Sequence, residues 1–172
     1  DENAIPLDRT KRVAVLGLSN GFDGDATMFS LLRGLQQNGV QFGAVLLQDN
    51  SSPEQIARAR EITARADVVI AGMYGRVRSG ARNSVGVPES GAAILKDLLA
   101  NNKKVIGVSY GNPYILGSFP QLKTYIVAYG DMADLQIASV KAMFGWQDFT
   151  GRLPISLPGL YPRGTGIQLS KK

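Results

Sequence analysis

Residues 105–120 read VIGVSYGNPYILGSFP. The opening VIGV is a continuous apolar, mostly β-branched run, the pattern of a strand covered on both faces. Gly111-Asn112-Pro113 then ends it sharply. Glycine accepts turn dihedrals, asparagine bonds its own backbone and proline presets φ. A short apolar segment follows, closed by a second turn at Pro120.

The same grammar repeats on either side. Residues 12–18 (RVAVLGL), 40–47 and 67–73 are short apolar runs with strand character. Between the first two, Asp25 is expected to cap a helix carrying Met28, Leu31, Leu32 and Leu35 at helical spacing, ended by Asn38-Gly39. Ser52-Pro53 opens a second helix, with Ile56, Ala59, Ile62 and Ala66 on one face. A helix over 89–102 precedes the strand 104–110, and a strand over 124–129 precedes a helix over 133–144 ended by Gly145. Leu153, Ile155 and Leu157 alternate between Pro154 and Pro158, the expectation for a short edge strand. Strands alternating with helices predict a three-layer α/β/α sandwich with a mainly parallel sheet of five or six strands. One domain is expected over 12–167, with a linker over 1–11 and a polar tail over 168–172.

Composition removes whole classes of chemistry. The 172 residues include no cysteine and no histidine, which excludes disulfides, thiol nucleophiles, histidine-dependent triads and the usual zinc sites within this chain. No cofactor or metal is expected. The net charge of +5 comes from scattered cations rather than a stripe interleaved with aromatics, so no nucleic-acid partner is expected. No apolar run approaches the ~18 residues that would span a bilayer, and no membrane association is expected. The chain begins at Asp1 rather than Met, the expectation for a piece excised from a longer polypeptide.

In open α/β sheets ligands bind beyond the carboxyl ends of the strands. The first such turn, GLSNGFDGD, is glycine-rich. It lacks both G-x-G-x-x-G and a P-loop lysine, and Asp23 and Asp25 would repel a phosphate. Asp23, Asp25, Asp49, Glu89, Asp131 and Asp134 are the carboxylates expected near this edge, and each has a capping or helix-dipole role open to it. No catalytic residue is assigned. The loop GRVRSGARNSVGVP over 75–88 is the strongest candidate. Arg76, Arg78 and Arg82 can grip carboxylates or sugar hydroxyls, and without local acidic partners residues 76–84 are expected to be mobile until another domain orders them. Asn112 offers a ligand-facing amide, or ordinary turn chemistry. Tyr74, Tyr110, Tyr114 and Tyr129 could line a sugar-stacking wall, or lie buried with satisfied hydroxyls.

Ordered blocks across nearly the whole chain carry a family resemblance: NAIPLD, ADVVIAGMYGRVRSG, VIGVSYGNPYIL followed by FP and TYIVAYG, AMFG, and TGRLPISLPGLYPRGTGI. Together they resemble the C-terminal domain of family 3 glycoside hydrolases, in particular the β-N-acetylglucosaminidase branch. The resemblance implies an N-terminal barrel in the same polypeptide that holds the nucleophilic aspartate, with residues 1–11 as the linker from it and carbohydrate at the domain interface. The β-glucosidase branch draws an acid/base glutamate from this second domain, whereas the N-acetylglucosaminidase branch uses a His-Asp pair on a barrel loop. The glutamates here are Glu2, Glu54, Glu61 and Glu89, and only Glu89 lies near the expected cleft. The resemblance therefore implies a non-catalytic domain, inactive alone, of a retaining exo-β-N-acetylhexosaminidase. A β-glucosidase domain and an autonomous flavodoxin-like small-molecule-binding domain are the alternatives. Compartment is not legible.

Overall fold

The computed structural model describes residues 3–21, 24–77 and 86–171. Five strands, β1 (Val13–Ser19), β2 (Phe42–Leu47), β3 (Val68–Tyr74), β4 (Lys104–Ser109) and β5 (Thr124–Val127), form one all-parallel sheet in the order β2-β1-β3-β4-β5. The helices are α1 (Phe29–Gln37), α2 (Pro53–Arg65), α3 (Glu89–Ala100) and α4 (Ala133–Met143), with 3-10 turns at Gly24–Met28 and Pro113–Ser118.

Strand side chains alternate between faces, so each apolar run feeds two cores. Ala14, Leu16 and Leu18 of β1 join Val69, Ala71 and Met73 of β3 beneath Ala59 and Ile62 of α2 and Ile94 and Leu95 of α3. Val13 and Val15 join Ile70, Ile106 and Val108 beneath Leu31 and Leu35 of α1 and Val140 and Met143 of α4. This is the expected three-layer sandwich. Topology assigns the layers: the chain turns outward from β1 to β2, then reverses to β3, β4 and β5. Right-handed crossovers therefore put α1 on one face and α2, α3 and the 113–118 connection on the other. Accordingly Ile115, Leu116 and Phe119 of that connection join the α2/α3 core.

Several local readings hold. Ser52 caps α2 in a reciprocal capping box with Gln55, and Gly39 takes φ +77° just after α1. Two do not. Asp25 is no helix cap: it lies in the 3-10 turn, and α1 starts after Met28 with no side-chain cap. Instead Gln136 of α4 accepts from the Leu31 N–H at 3.0 Å, so a neighbouring helix satisfies an orphan donor in the first turn of α1. Gly34 lets the two helices close up, since a Cβ there would lie 3.1 Å from Val140 Cγ2. The sixth strand is also absent. Residues 153–157 make single antiparallel bridges at most, Leu157 with Tyr161, with another between Phe149 and Leu169. Pro154 and Pro158 lack the N–H a ladder needs. Leu157 is nonetheless buried, and Leu153, Ile155 and Leu160 pack on the α2/α3 core.

Residues 3–9 pack against the domain. Ala4 and Leu7 are buried, the Leu7 N–H donates to the Met143 carbonyl at 2.7 Å, and the Arg9 guanidinium lies 5.1 Å from both rings of the stacked Phe144–Trp146 pair. No described helix is long and apolar enough to cross a membrane.

Gln136 is 4% exposed and also donates to the carbonyls of Thr27 (3.0 Å) and Asp131 (2.7 Å). Gln136→Ala strands two buried backbone groups and a partly buried one, and should lower unfolding free energy by about 2–4 kcal/mol in urea titration. A loss under about 0.5 kcal/mol would show that Gln136 does not join α4 to the α1 N-terminus.

Candidate functional site

The sheet order reverses between β1 and β3, so the crevice favoured for ligands in open α/β sheets lies at their carboxyl ends. Here that crevice is tied shut by the protein itself. Asn20, 1% exposed, donates from Nδ2 to the Arg76 carbonyl (2.8 Å) and accepts at Oδ1 from the Arg76 N–H (3.0 Å). The side-chain amide thus extends the β1–β3 ladder by one more reciprocal pair. Ser19 Oγ accepts from the Gly21 N–H and Gln48 Nε2 donates to the Gly21 carbonyl. The turn is committed internally rather than opened as a phosphate cradle.

The next loops converge beside it. Gly111 follows β4 so closely against the β3 loop that a Cβ would sit 2.4 Å from the Gly75 carbonyl oxygen. The Asn112 N–H donates to that same oxygen at 3.4 Å. Asn112 Oδ1 accepts from the Tyr114 N–H at 2.9 Å and caps the 3-10 turn. Arg76 reaches across to the β5 loop, its Nε and one terminal nitrogen donating to Asp131 Oδ2 at 3.1 and 2.6 Å. The guanidinium is half exposed. For Arg76 this ion pair supplies, from a residue 55 positions away, the acidic partner that its own loop lacks. It also gives Asp131 a role beyond the α4 dipole: the carboxylate binds Arg76 while its carbonyl binds Gln136.

Of the candidates, Arg76 and Asn112 therefore stand on adjoining loops at one edge of the sheet. Arg78 and Arg82 lie outside the described residues, as does Asp23, and so does most of the segment expected to be mobile. Glu89 is the first residue of α3 and Asp134 lies in the first turn of α4, both where the helix dipole favours a negative charge. Among the described residues no three acidic side chains converge as a metal would require.

The four tyrosines divide. Tyr74 and Tyr110 are core residues, stacked 4.8 Å apart and at most 2% exposed. Burial pushes both hydroxyls well above the ordinary phenol range, so neither can exchange a proton near neutrality. Tyr110 bonds Ser139 Oγ at 2.6 Å, while the Tyr74 hydroxyl has no hydrogen-bond partner among the described residues. Tyr114 and Tyr129 are about half exposed. Between them lies Tyr125, whose hydroxyl burial raises to about 12 and which donates to the Pro113 carbonyl.

A shallow concavity of about 500 Å³ opens at the opposite, amino edge, by Arg9, Lys11, Arg12 and Phe42. Two of its three cations have other work. Arg12 makes a two-nitrogen grip on Asp67, holding that carboxyl far below its usual range, and Arg9 lies over the two rings.

The family profile "Glycosyl hydrolase family 3 C-terminal domain" matches residues 1–163. The chain belongs to that family. Among solved structures, a fungal multi-domain family 3 β-N-acetylglucosaminidase superposes with a TM-score of 0.73 at 20% identity, over 96% of this chain and 18% of that one. A family 3 β-N-acetylglucosaminidase from Paenibacillus sp. str. FPU-7 gives 0.63 at 20% identity, over 81% and 26%. A mutant β-glucosidase from Listeria innocua, in complex with laminaribiose, gives 0.69 at 15% identity, over 89% and 24%. At these identities the likeness is one of fold, and this chain spans about a quarter or less of each of those proteins. No curated protein matches the chain.

Asn20→Ala removes both bonds that join the β1 and β3 loops and leaves the Arg76 N–H without its Asn20 acceptor. It should cost about 1–3 kcal/mol of unfolding free energy in urea. An unchanged midpoint and slope would show that the loops are held without Asn20.

Proposed function

We propose that this chain is the non-catalytic C-terminal domain of a retaining exo-β-N-acetylhexosaminidase that removes terminal β-linked N-acetylglucosamine. Its nucleophile then belongs to an N-terminal barrel in the same polypeptide, joined through residues 1–11. Its carboxyl edge, with Arg76, Arg78, Arg82 and Asn112, meets the carbohydrate at the domain interface.

One observation carries the reading. Residues 75–88, the loop after β3, contain three arginines and no acid, and Asp131, the carboxylate nearest in space to Arg76, is already bound by it. A retaining glycosidase needs two carboxyl groups about 5–5.5 Å apart, or a substitute for the acid/base. The loop thus brings no carboxyl group of its own to serve as acid/base, which is in keeping with the hexosaminidase branch and its barrel-borne His-Asp pair. What it offers instead is donors. A guanidinium can hydrogen-bond hydroxyl or acetamido carbonyl oxygens and help hold the glycan in register.

The full polypeptide should hydrolyse a chromogenic N-acetylglucosaminide in preference to the glucoside, and this chain alone should turn over neither. Arg76→Ala in the full polypeptide should lower kcat/KM about 10- to 100-fold, the loss of one charge-assisted hydrogen bond or two, with the fold retained. Preference for the glucoside would favour the β-glucosidase reading. Turnover by this chain alone would place the chemistry here. Unchanged kinetics in the variant would remove Arg76 from the substrate.

A further inference from the structure

Tyr129 is held in a conformation that a tyrosine rarely adopts. Its φ is +61°, in the left-handed region where a Cβ crowds the backbone and a bulky residue is a genuine outlier. The other non-glycine residues with positive φ among those described are Asn3 and Asn102, of the type that tolerates it. The cause lies in the chain path. The Ala128 N–H makes the last ladder bond, to the Ser109 carbonyl, and the backbone must then leave the sheet for α4 on the far face. A glycine would make that departure without strain. Gly130 stands one residue later, and its φ is outside the left-handed region. Strain of this kind persists where the surroundings over-determine it, and it concentrates at ligand-contacting positions.

What the strain presents is an aromatic ring 49% exposed at the carboxyl edge. The parallel ladder ends at the pair Ser109–Val127, so Tyr129 and Asn112 both follow the carboxyl ends of neighbouring strands. Asn112 there has a one-sided chemistry. Its carbonyl oxygen is occupied by the Tyr114 N–H, and its Nδ2 makes no hydrogen bond to any described residue. The amide is thus left as a donor. Tyr114, 50% exposed, follows Asn112 on the same connection. An amphipathic ring on the edge that also carries an unspent amide donor suits a ligand with an apolar flat face and acceptor oxygens on its rim. A pyranose has that chemistry.

We infer that Tyr129 is a carbohydrate-stacking platform, held in its left-handed conformation to present its ring to a sugar whose oxygens accept from Asn112. This deepens the proposal that the carboxyl edge meets the glycan, and rests on it. The strain at Tyr129 is then a loss of stability retained for binding, and relieving it should separate the two.

The test uses Tyr129→Phe and Tyr129→Gly, in this chain for thermal melting and in the full polypeptide for kinetics on whichever aryl glycoside the wild type cleaves best. The glycine variant should melt about 2–4 °C higher and raise KM about three- to tenfold. The phenylalanine variant keeps the ring and should keep the wild-type KM. A glycine variant that melts lower, or that leaves KM unchanged, overturns the inference. A phenylalanine variant whose KM rises as far as that of glycine overturns stacking as the cause. Because the substrate is chosen empirically, a preference for glucosides would defeat the hexosaminidase reading and leave this test intact.

Discussion

The β1–β3 ladder is the constraint on which the rest depends. Val13 to Ser19 pair in register with Val68 to Tyr74, and every residue of both strands is buried. A parallel pair covered on both faces has no room for polar side chains along its length, because each would pay desolvation without a partner. Polar function is therefore pushed to the ends of the strands. The same pair marks where the strand order reverses, so its carboxyl end is also where the backbone loops diverge. Asn20 closes that divergence by bonding both backbone groups of Arg76.

From that tie the edge is built outward as one connected set. Arg76, fixed at its backbone by Asn20, reaches Asp131, and Asp131 is held at its carbonyl by Gln136. Gln136 in turn supports the start of α1. Loops following three different strands are thus referred to one buried glutamine and one buried asparagine. This arrangement fixes where the hydrogen-bonding groups of the carboxyl edge stand relative to one another. A fully satisfied buried amide network is rigid, and the exposed Arg76 is held to it through its backbone.

Sequence patterns were enough for the strands, four helices and the sandwich, because two-faced burial leaves continuous apolar runs and the caps Ser52 and Gly39 act locally. They failed where a distant partner decided the outcome. Asp25 has the chemistry of a cap, yet α1 is capped by a residue 105 positions away. The Arg76–Asp131 pair spans 55 positions and has no local signature. Among four similar tyrosines, only the strand register separates buried Tyr74 and Tyr110 from exposed Tyr114 and Tyr129. The alternation at Leu153, Ile155 and Leu157 reads as a strand, but Pro154 within it and Pro158 after it leave too few donors for a ladder. The position of Arg76 and Asn112 at one edge was legible from topology; their committed and open hydrogen bonds were not.

The claim that the carboxyl edge is the working face is tested most directly by hydrogen–deuterium exchange, comparing this chain alone with the full polypeptide. The account predicts slower exchange in the full polypeptide at peptides covering 19–21, 75–77, 110–114 and 128–132, deepened by a bound substrate analogue. The amino-edge peptide covering 39–43 should exchange alike in both. Protection confined to the amino edge, or equal exchange at the carboxyl edge in both proteins, would contradict it.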